Sequence, residues 1–290
     1  MKDHLIRILT ADGSLRATAA VTTRLVEESR RRQGTDPTAT VALGRLATGA
    51  ALMGSLLKGE QRLALTVEGN GPLQKLHAET DAAGHLRASV RHPVAGLPPR
   101  EGRFDVAGAV GRAGFLHVVK DLGLKEPYRG VVQLYTSEIA EDLAYYLTTS
   151  EQTPSSVALG VSLTPEGSVA AAGGYLVQAM PGSDDSLIPL LEQRLTTLPP
   201  VSTLLRDGVG PAAILEHLFA GIPYNLQGET ELVFRCGCSR QQVRRVLLAL
   251  GKEELQELAA RNEATTVTCE FCKEPYDFPA AELKRLSALL

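Results

Sequence analysis

FRCGCSRQQVRRVLLALG, residues 234–251, sets two cysteines either side of one glycine, directly before a helix-like stretch. A second pair follows in TCEFCKE, residues 268–274, and Cys236, Cys238, Cys269 and Cys272 are every cysteine in the chain. ELVFRC, residues 231–236, reads as a strand that ends at the first cysteine. Ser239 and Gln242 make the S-x-x-Q pattern of a capping box, which starts a helix after Cys238. Val243, Val246, Leu247 and Leu250 form the apolar stripe of that helix, and Gly251 is its stop. KEELQELAA, residues 252–260, starts a second helix, and TTVTCEFC, residues 265–272, is a β-branched strand running into a C-x-x-C knuckle, with YDF as its partner strand. The segment predicts a strand, a cysteine knuckle, a helical pair, a strand and a second knuckle.

Four thiolates in two knuckles match the tetrahedral sulfur set that zinc takes, with metal–sulfur distances of ~2.3 Å. None of the six histidines (His4, His77, His85, His92, His117 and His217) lies in residues 231–290, so the set is all-sulfur and leaves no position for an activated water. On the residues alone, an iron–sulfur cluster and metal-free thiols stay open as alternatives. The thirty residues between C-x-C and C-x-x-C depart from common zinc-ribbon spacing. A unit of about 60 residues draws only ~3–5 kcal/mol from its own core, whereas structural zinc binding contributes ~10–16 kcal/mol. Zinc removal is therefore expected to unfold residues 231–290. Thiolates are also the form that oxidants attack. The spacing permits a bond within each knuckle, C-x-C through a tight turn that Gly237 suits. It permits a reversible switch and does not establish one.

Outward from this region, the first 235 residues contain no cysteine. The chain has 290 residues, 44% hydrophobic and 22% charged, the composition of a soluble globular protein of two or three domains. A net charge of −3 provides no global basic field for nucleic acid or an anionic membrane. Charges interrupt the apolar run in MKDHLIRILTADGS, which reads against a signal peptide, and ALMGSLL, residues 51–57, is too short to span a bilayer. A cytoplasmic protein is expected, where paired thiols more often hold metal than form standing disulfides.

Residues 4–20 read as a hairpin around Asp12-Gly13, followed by a helix over Thr22–Gln33. Residues 35–59 read as a buried helix in which Gly44, Ala47, Gly49 and Gly54 let neighbouring backbones approach. Short β-like runs fill residues 61–135, a helix covers 137–152, and strands return up to about residue 180. PGSDDS, residues 181–186, reads as a turn or linker. Leucine-rich helical pieces broken by Pro189, Pro199-Pro200, Pro211 and Pro223 follow, too short to stand alone and in need of a surface. The expected architecture is α+β: a β-rich core over residues 1–180, a docked helical connector over 181–230, and a small four-cysteine zinc domain over 231–290. The connector is expected among the less stable parts of the molecule.

FRCGCSRQQVRRVLLALGKEELQEL and VTCEFCKEPYDF resemble the zinc-binding end of the bacterial 33 kDa chaperonin family, the redox-regulated heat-shock holdases. The likeness continues upstream through LGRLATGAALMGSLLKGEQRL, VEGNGPL, GRAGFLHVVKDLGLKEPYRGVV, EIAEDLAYYLTTSEQTPSSVALGV and EHLFAGIP, and so covers nearly the whole chain. All four family cysteine positions match Cys236, Cys238, Cys269 and Cys272; Gly237 stands where larger residues also occur. The resemblance implies an ATP-independent chaperone, inactive while reduced with one zinc per chain. Oxidation would release the zinc, join Cys236 to Cys238 and Cys269 to Cys272, and unfold the zinc unit and connector to expose apolar surface for unfolding clients. Activated members are associated with dimerisation.

Two other classes draw less support from the residues. Arg240, Arg244 and Arg245 could meet phosphates in a nucleic-acid-binding zinc module, but nine basic and nine acidic residues in 231–290 favour a solvated helix face. An enzyme is less favoured still. Glu138, Glu141 and Asp142 read as solvated or helix-N-terminal charges, and VEGNGPL and GAVGRAGF lack phosphate-loop spacing and read as turns. His77, His92 and His117 have no recognisable cysteine or carboxylate partner set, and the C-x-x-C lacks a thioredoxin-like context.

Overall fold

The computed structural model describes residues 2–100, 102–181, 187–261 and 263–290, so the turn expected at 181–186 lies, apart from Pro181, outside the described residues. The chain divides into two compact units, Met1–Arg235 and Cys236–Leu290.

In the first unit, β1 (His4–Thr10) and β2 (Leu15–Val21) form the expected hairpin, with Asp12 Oδ1 accepting the Ser14 N–H at 3.0 Å. Helices α1 (Thr23–Gln33) and α2 (Pro37–Gly54) follow. Asp36 caps α2 by accepting the Ala39 N–H at 2.8 Å, and Pro37 occupies the first turn, where its missing N–H costs nothing. From residue 38 to 54 every α2 residue except Arg45 is buried. Such a helix, apolar all round, has to be enclosed on all sides. Its glycines receive side chains rather than the backbones expected: a Cβ at Gly44 would meet Val26 and Val161, one at Gly49 would meet Leu143, and one at Gly54 would meet Thr80.

The next strands are β3 (Arg62–Gly69), β4 (Lys75–Asp81) and β5 (His85–Val90), then the short helix α3 (Val106–Val110), then β6 (Gly114–Asp121) and β7 (Tyr128–Gln133). The two glycine-rich segments, read as turns, are so only in part: VEGNGPL is the end of β3 and the turn after it, and GAVGRAGF runs from α3 through a turn into β6. They pack on each other, Gly71 N–H donating to the Val110 carbonyl at 2.9 Å and Asn70 N–H to that of Ala113 at 3.0 Å. Helix α4 (Ala140–Thr149) leads to β8 (Ser155–Leu163) and β9 (Val169–Ala179). Asp142 on α4 is not a solvated charge. It is 1% exposed, and its carboxylate accepts the N–H groups of Tyr135, Thr136, Ser137 and Ile139 at 2.7, 3.0, 3.2 and 2.9 Å. This one group holds a loop in which Ser137 and Ile139 take φ of 66° and 72°, a region unfavourable for a β-branched residue. Asp142→Ala leaves these donors without a partner and is expected to destabilise the first unit by about 2–3 kcal/mol, with Asp142→Asn recovering part. Urea unfolding checks this; an unchanged midpoint would mean the loop holds itself.

Helices α5 (Ile188–Thr197), α6 (Val201–Arg206) and α7 (Pro211–Leu218) are the expected helical pieces, but Tyr224–Glu231 forms a strand, β10, followed by β11 (Val233–Phe234). The outer edge of β1 explains the difference: its unpaired main-chain groups take up whatever extended segment passes. YNLQGETE carries no apolar alternation to announce a strand. The first sheet runs β10-β1-β2-β9-β8 and the second β11-β5-β4-β3-β6-β7. One core joins α2 to side chains of both sheets, including Leu5, Leu65, Leu76, Leu116 and Leu176. A second core lies on the other face of the first sheet, where Ile8, Ala17, Ala19, Tyr175 and Val177 meet Leu191, Leu205, Ile214, Leu218 and Phe219 of the helical pieces. The surface the connector needed is this sheet face. It is lined by small residues, and a Cβ at Gly160 would sit 2.6 Å from the Ser202 nitrogen of α6.

The second unit holds α8 (Arg240–Leu250), α9 (Lys252–Ala260), the antiparallel pair β12 (Thr265–Thr268) and β13 (Pro275–Phe278), and a final helix α10 (Ala280–Ser287) absent from the sequence reading. Its core is small: Val243, Leu247, Leu255, Ala259, Phe278, Leu283 and Leu286. No described helix is long and apolar enough to cross a membrane.

Candidate metal centre

Cys236 and Cys238 precede α8, whose start is set by Ser239 accepting the Gln242 N–H at 3.3 Å. Cys269 and Cys272 occupy the connection between β12 and β13. The register Thr268↔Pro275 closes that knuckle, with Cys269 N–H donating to the Glu274 carbonyl and Lys273 N–H to that of Cys269, each at 3.0 Å. The residue that turns the chain is Lys273, at φ 60°. Gly237, the residue expected to provide a tight turn, has open space where a Cβ would stand.

All four sulfurs lie within 4.8 Å of one another. Cys236 Sγ is 3.7 Å from Cys269 Sγ, and Cys238 Sγ is 3.2 Å from Cys272 Sγ. Sulfurs placed tetrahedrally at ~2.3 Å from one ion stand ~3.8 Å apart, so the cluster has the dimensions of a four-thiolate site. Both distances exceed the ~2.05 Å of a disulfide, and all four residues are thiols. Burial pushes the Cys272 thiol up to about 12 and raises that of Cys238, in the latter case against the Tyr276 hydroxyl, which donates to its sulfur at 3.2 Å. That donated bond, with burial, raises Tyr276 in turn. A cation among the four sulfurs would stabilise their thiolate forms outright. The four cysteines are therefore positioned to bind one metal ion, as the sequence expects.

Other candidate groups do not join the cluster. Among the described residues these four cysteines are the one set grouped closely enough to hold a metal. His77 sits on β4, 2.7 Å from Thr66 Oγ1 and 3.0 Å from Glu79, and His117 on β6 lies 3.8 Å from Glu68. Arg240 donates to the Asp277 carbonyl at 2.8 Å and to Glu282 at 2.6 Å, and its guanidinium lies 4.5 Å over the Phe278 ring. Tyr276 was missed as a sulfur partner. Its signal was present in YDF, the strand returning from the knuckle, where alternate side chains face back to the cysteines.

A family model described as Hsp33 protein matches residues 3–279. The chain is 67% identical to the 33 kDa chaperonin of Syntrophotalea carbinolica, over 99% of this chain and 100% of that protein. It is 55% identical to the 33 kDa chaperonin of Geobacter sulfurreducens, over 98% and 94%. The crystal structure of the 33 kDa chaperonin (heat shock protein 33 homolog) from Thermotoga maritima superposes with a TM-score of 0.91 at 35% identity, covering 100% of this chain and 99% of that one.

Proposed function

We propose that this chain, which belongs to the Hsp33 protein family, is a cytoplasmic, ATP-independent holdase switched by its four-cysteine centre. The observation that carries this reading is the convergence of every sulfur in a unit whose own core is seven side chains. A bound zinc ion would hold Cys236, Cys238, Cys269 and Cys272 as thiolates in one closed tetrahedron. Joining Cys236 to Cys238 and Cys269 to Cys272 withdraws all four ligands. Each bond takes two electrons from a thiolate pair, and one hydrogen peroxide that accepts them, with two protons from solvent, leaves as two waters. In the folded unit Cys236 meets Cys269 and Cys238 meets Cys272, contacts that cross from one knuckle to the other. Once the unit opens, however, pairing within a knuckle closes a loop of a few residues instead of more than thirty, which costs less chain entropy.

In functional pieces, residues 1–180 are the core, 181–230 the connector and 231–290 the switch. Loss of the switch lets the connector leave the first sheet, exposing Ile8, Ala17, Ala19, Tyr175 and Val177 to unfolding clients, with homodimerisation accompanying activation. The assay is paired. Peroxide at elevated temperature is expected to release about one zinc per chain and to suppress aggregation of a denatured client without nucleotide. Retained zinc, or equal activity before and after oxidation, sinks the switch. The rival nucleic-acid module draws less support, because Arg240 is engaged by Glu282, Asp277 and Phe278; salt-sensitive RNA binding by the reduced protein would favour it. Tyr276→Phe removes the donor to Cys238 and is expected to weaken zinc affinity roughly tenfold in a chelator competition. An unchanged affinity would make that contact incidental.

A further inference from the structure

Residues 224–235 form a strap bordering both sheets of the first unit. Tyr224–Glu231 is the outermost strand of the first sheet, antiparallel to β1, and Val233–Phe234 runs parallel to β5 at the edge of the second. Main-chain bonds hold it: Leu232 N–H donates to the Asp3 carbonyl at 3.0 Å, Val233 N–H to that of Gly84 at 3.1 Å, and Arg235 N–H to that of Leu86 at 3.0 Å. Its side chains add little. Leu232 is the one buried residue of the strap, Phe234 is half-buried under the Arg32 guanidinium, and Leu226 is 65% exposed. The pairing takes up one extra residue at a glycine, Gly228 with φ 147°, so that Arg7 faces Gly228 while Ile8 faces Leu226. Away from that glycine the β1 edge holds its neighbour mainly through main-chain bonds, as strand addition does when those bonds supply the affinity.

We propose that in the activated protein the β1 edge vacated by Tyr224–Glu231 captures an extended segment of the client by strand addition. This rests on the holdase reading above and specifies how part of the client is held. A client fits this edge better than a second copy does. Two β1 strands paired antiparallel over residues 4–10 would set Arg7 against Arg7, and like charges directly opposite are destabilising. An occupant chosen by its backbone also suits a protein that must take unrelated chains.

The direction of the main-chain groups makes the test specific. The Asp3 carbonyl accepts from Leu232 and the Ala11 N–H donates to Pro223, so alternation turns Leu5, Arg7 and Leu9 toward the strap, and Ile6 and Ile8 toward β2. Residue-resolved hydrogen exchange on the oxidised full chain is expected to show the amides of Leu5, Arg7 and Leu9 opening while those of Ile6 and Ile8 stay protected. An eight-residue alternating Val/Thr peptide should close the three again. A counterpart N-methylated at two adjacent residues, which blocks both of its edges, should bind at least about tenfold more weakly. The inference is overturned if peptide or denatured client binds while the three amides stay open, if the amides never open although aggregation is suppressed, or if both peptides bind equally. Protection that grows with protein concentration alone gives the edge to a second copy and overturns it too. Failure of the oxidised protein to hold any client sinks the holdase reading itself, and the aggregation assay reports that separately.

Discussion

Stripping zinc from the reduced protein with a chelator is expected to unfold Cys236–Leu290 while leaving the core of residues 1–180 folded. The two contributions are unequal. The core of the second unit is Val243, Leu247, Leu255, Ala259, Phe278, Leu283 and Leu286, and a core of that size supplies only ~3–5 kcal/mol. A structural four-thiolate zinc site supplies ~10–16 kcal/mol. Removing the larger contribution leaves the unit at or below the cost of ordering its backbone. Amide exchange at Leu247, Leu255, Phe278 and Leu283 should then become that of an unfolded chain. The buried amides of α2, which sits in a core of its own, should not change. Protection of the four core amides after complete zinc removal would contradict the energetic argument, and with it the idea that losing the ligands is a signal.

Phe219→Ala is expected to activate the reduced, zinc-loaded protein. Phe219 closes α7 at 1% exposure and belongs to the core between connector and sheet, together with Ile214, Leu215 and Leu218. Truncating a buried phenylalanine costs ~3–5 kcal/mol. Here the loss falls on short helices that cannot persist without their surface. The sheet face keeps every residue, so the substitution weakens the cover and not what lies beneath. Suppression of client aggregation without peroxide, with zinc content unchanged, is the expected result. A variant still silent until oxidised would show that connector docking does not gate client binding.

The cysteine centre was legible because its chemistry is written in residue type and spacing: four sulfurs, two knuckles and no competing histidine. The hairpin at Asp12-Gly13, the enclosed helix over Pro37–Gly54 and the cap at Ser239 were legible because turn, apolar and capping preferences are local. Helix α10 was missed although Leu283 and Leu286 carry its buried face. Eight residues at a chain end, after a proline, make a weak periodic signal.

Other features were not local. Tyr224–Glu231 has no strand pattern of its own and pairs because β1 leaves an edge to cover. Asp142 looks like any carboxylate at a helix start until the loop of Tyr135–Ile139 folds back onto it. The helix glycines show as small residues, but that they receive Val26, Leu143 and Thr80 depends on what surrounds α2. By itself the sequence determined which atoms can ligate metal and that the leucine-rich pieces need a partner surface, since both follow from residue chemistry and short-range period. The tertiary structure alone decided that this surface is the outer face of the first sheet and that residues 224–235 border both sheets. Those are choices among distant partners, made by main-chain groups that every residue carries alike.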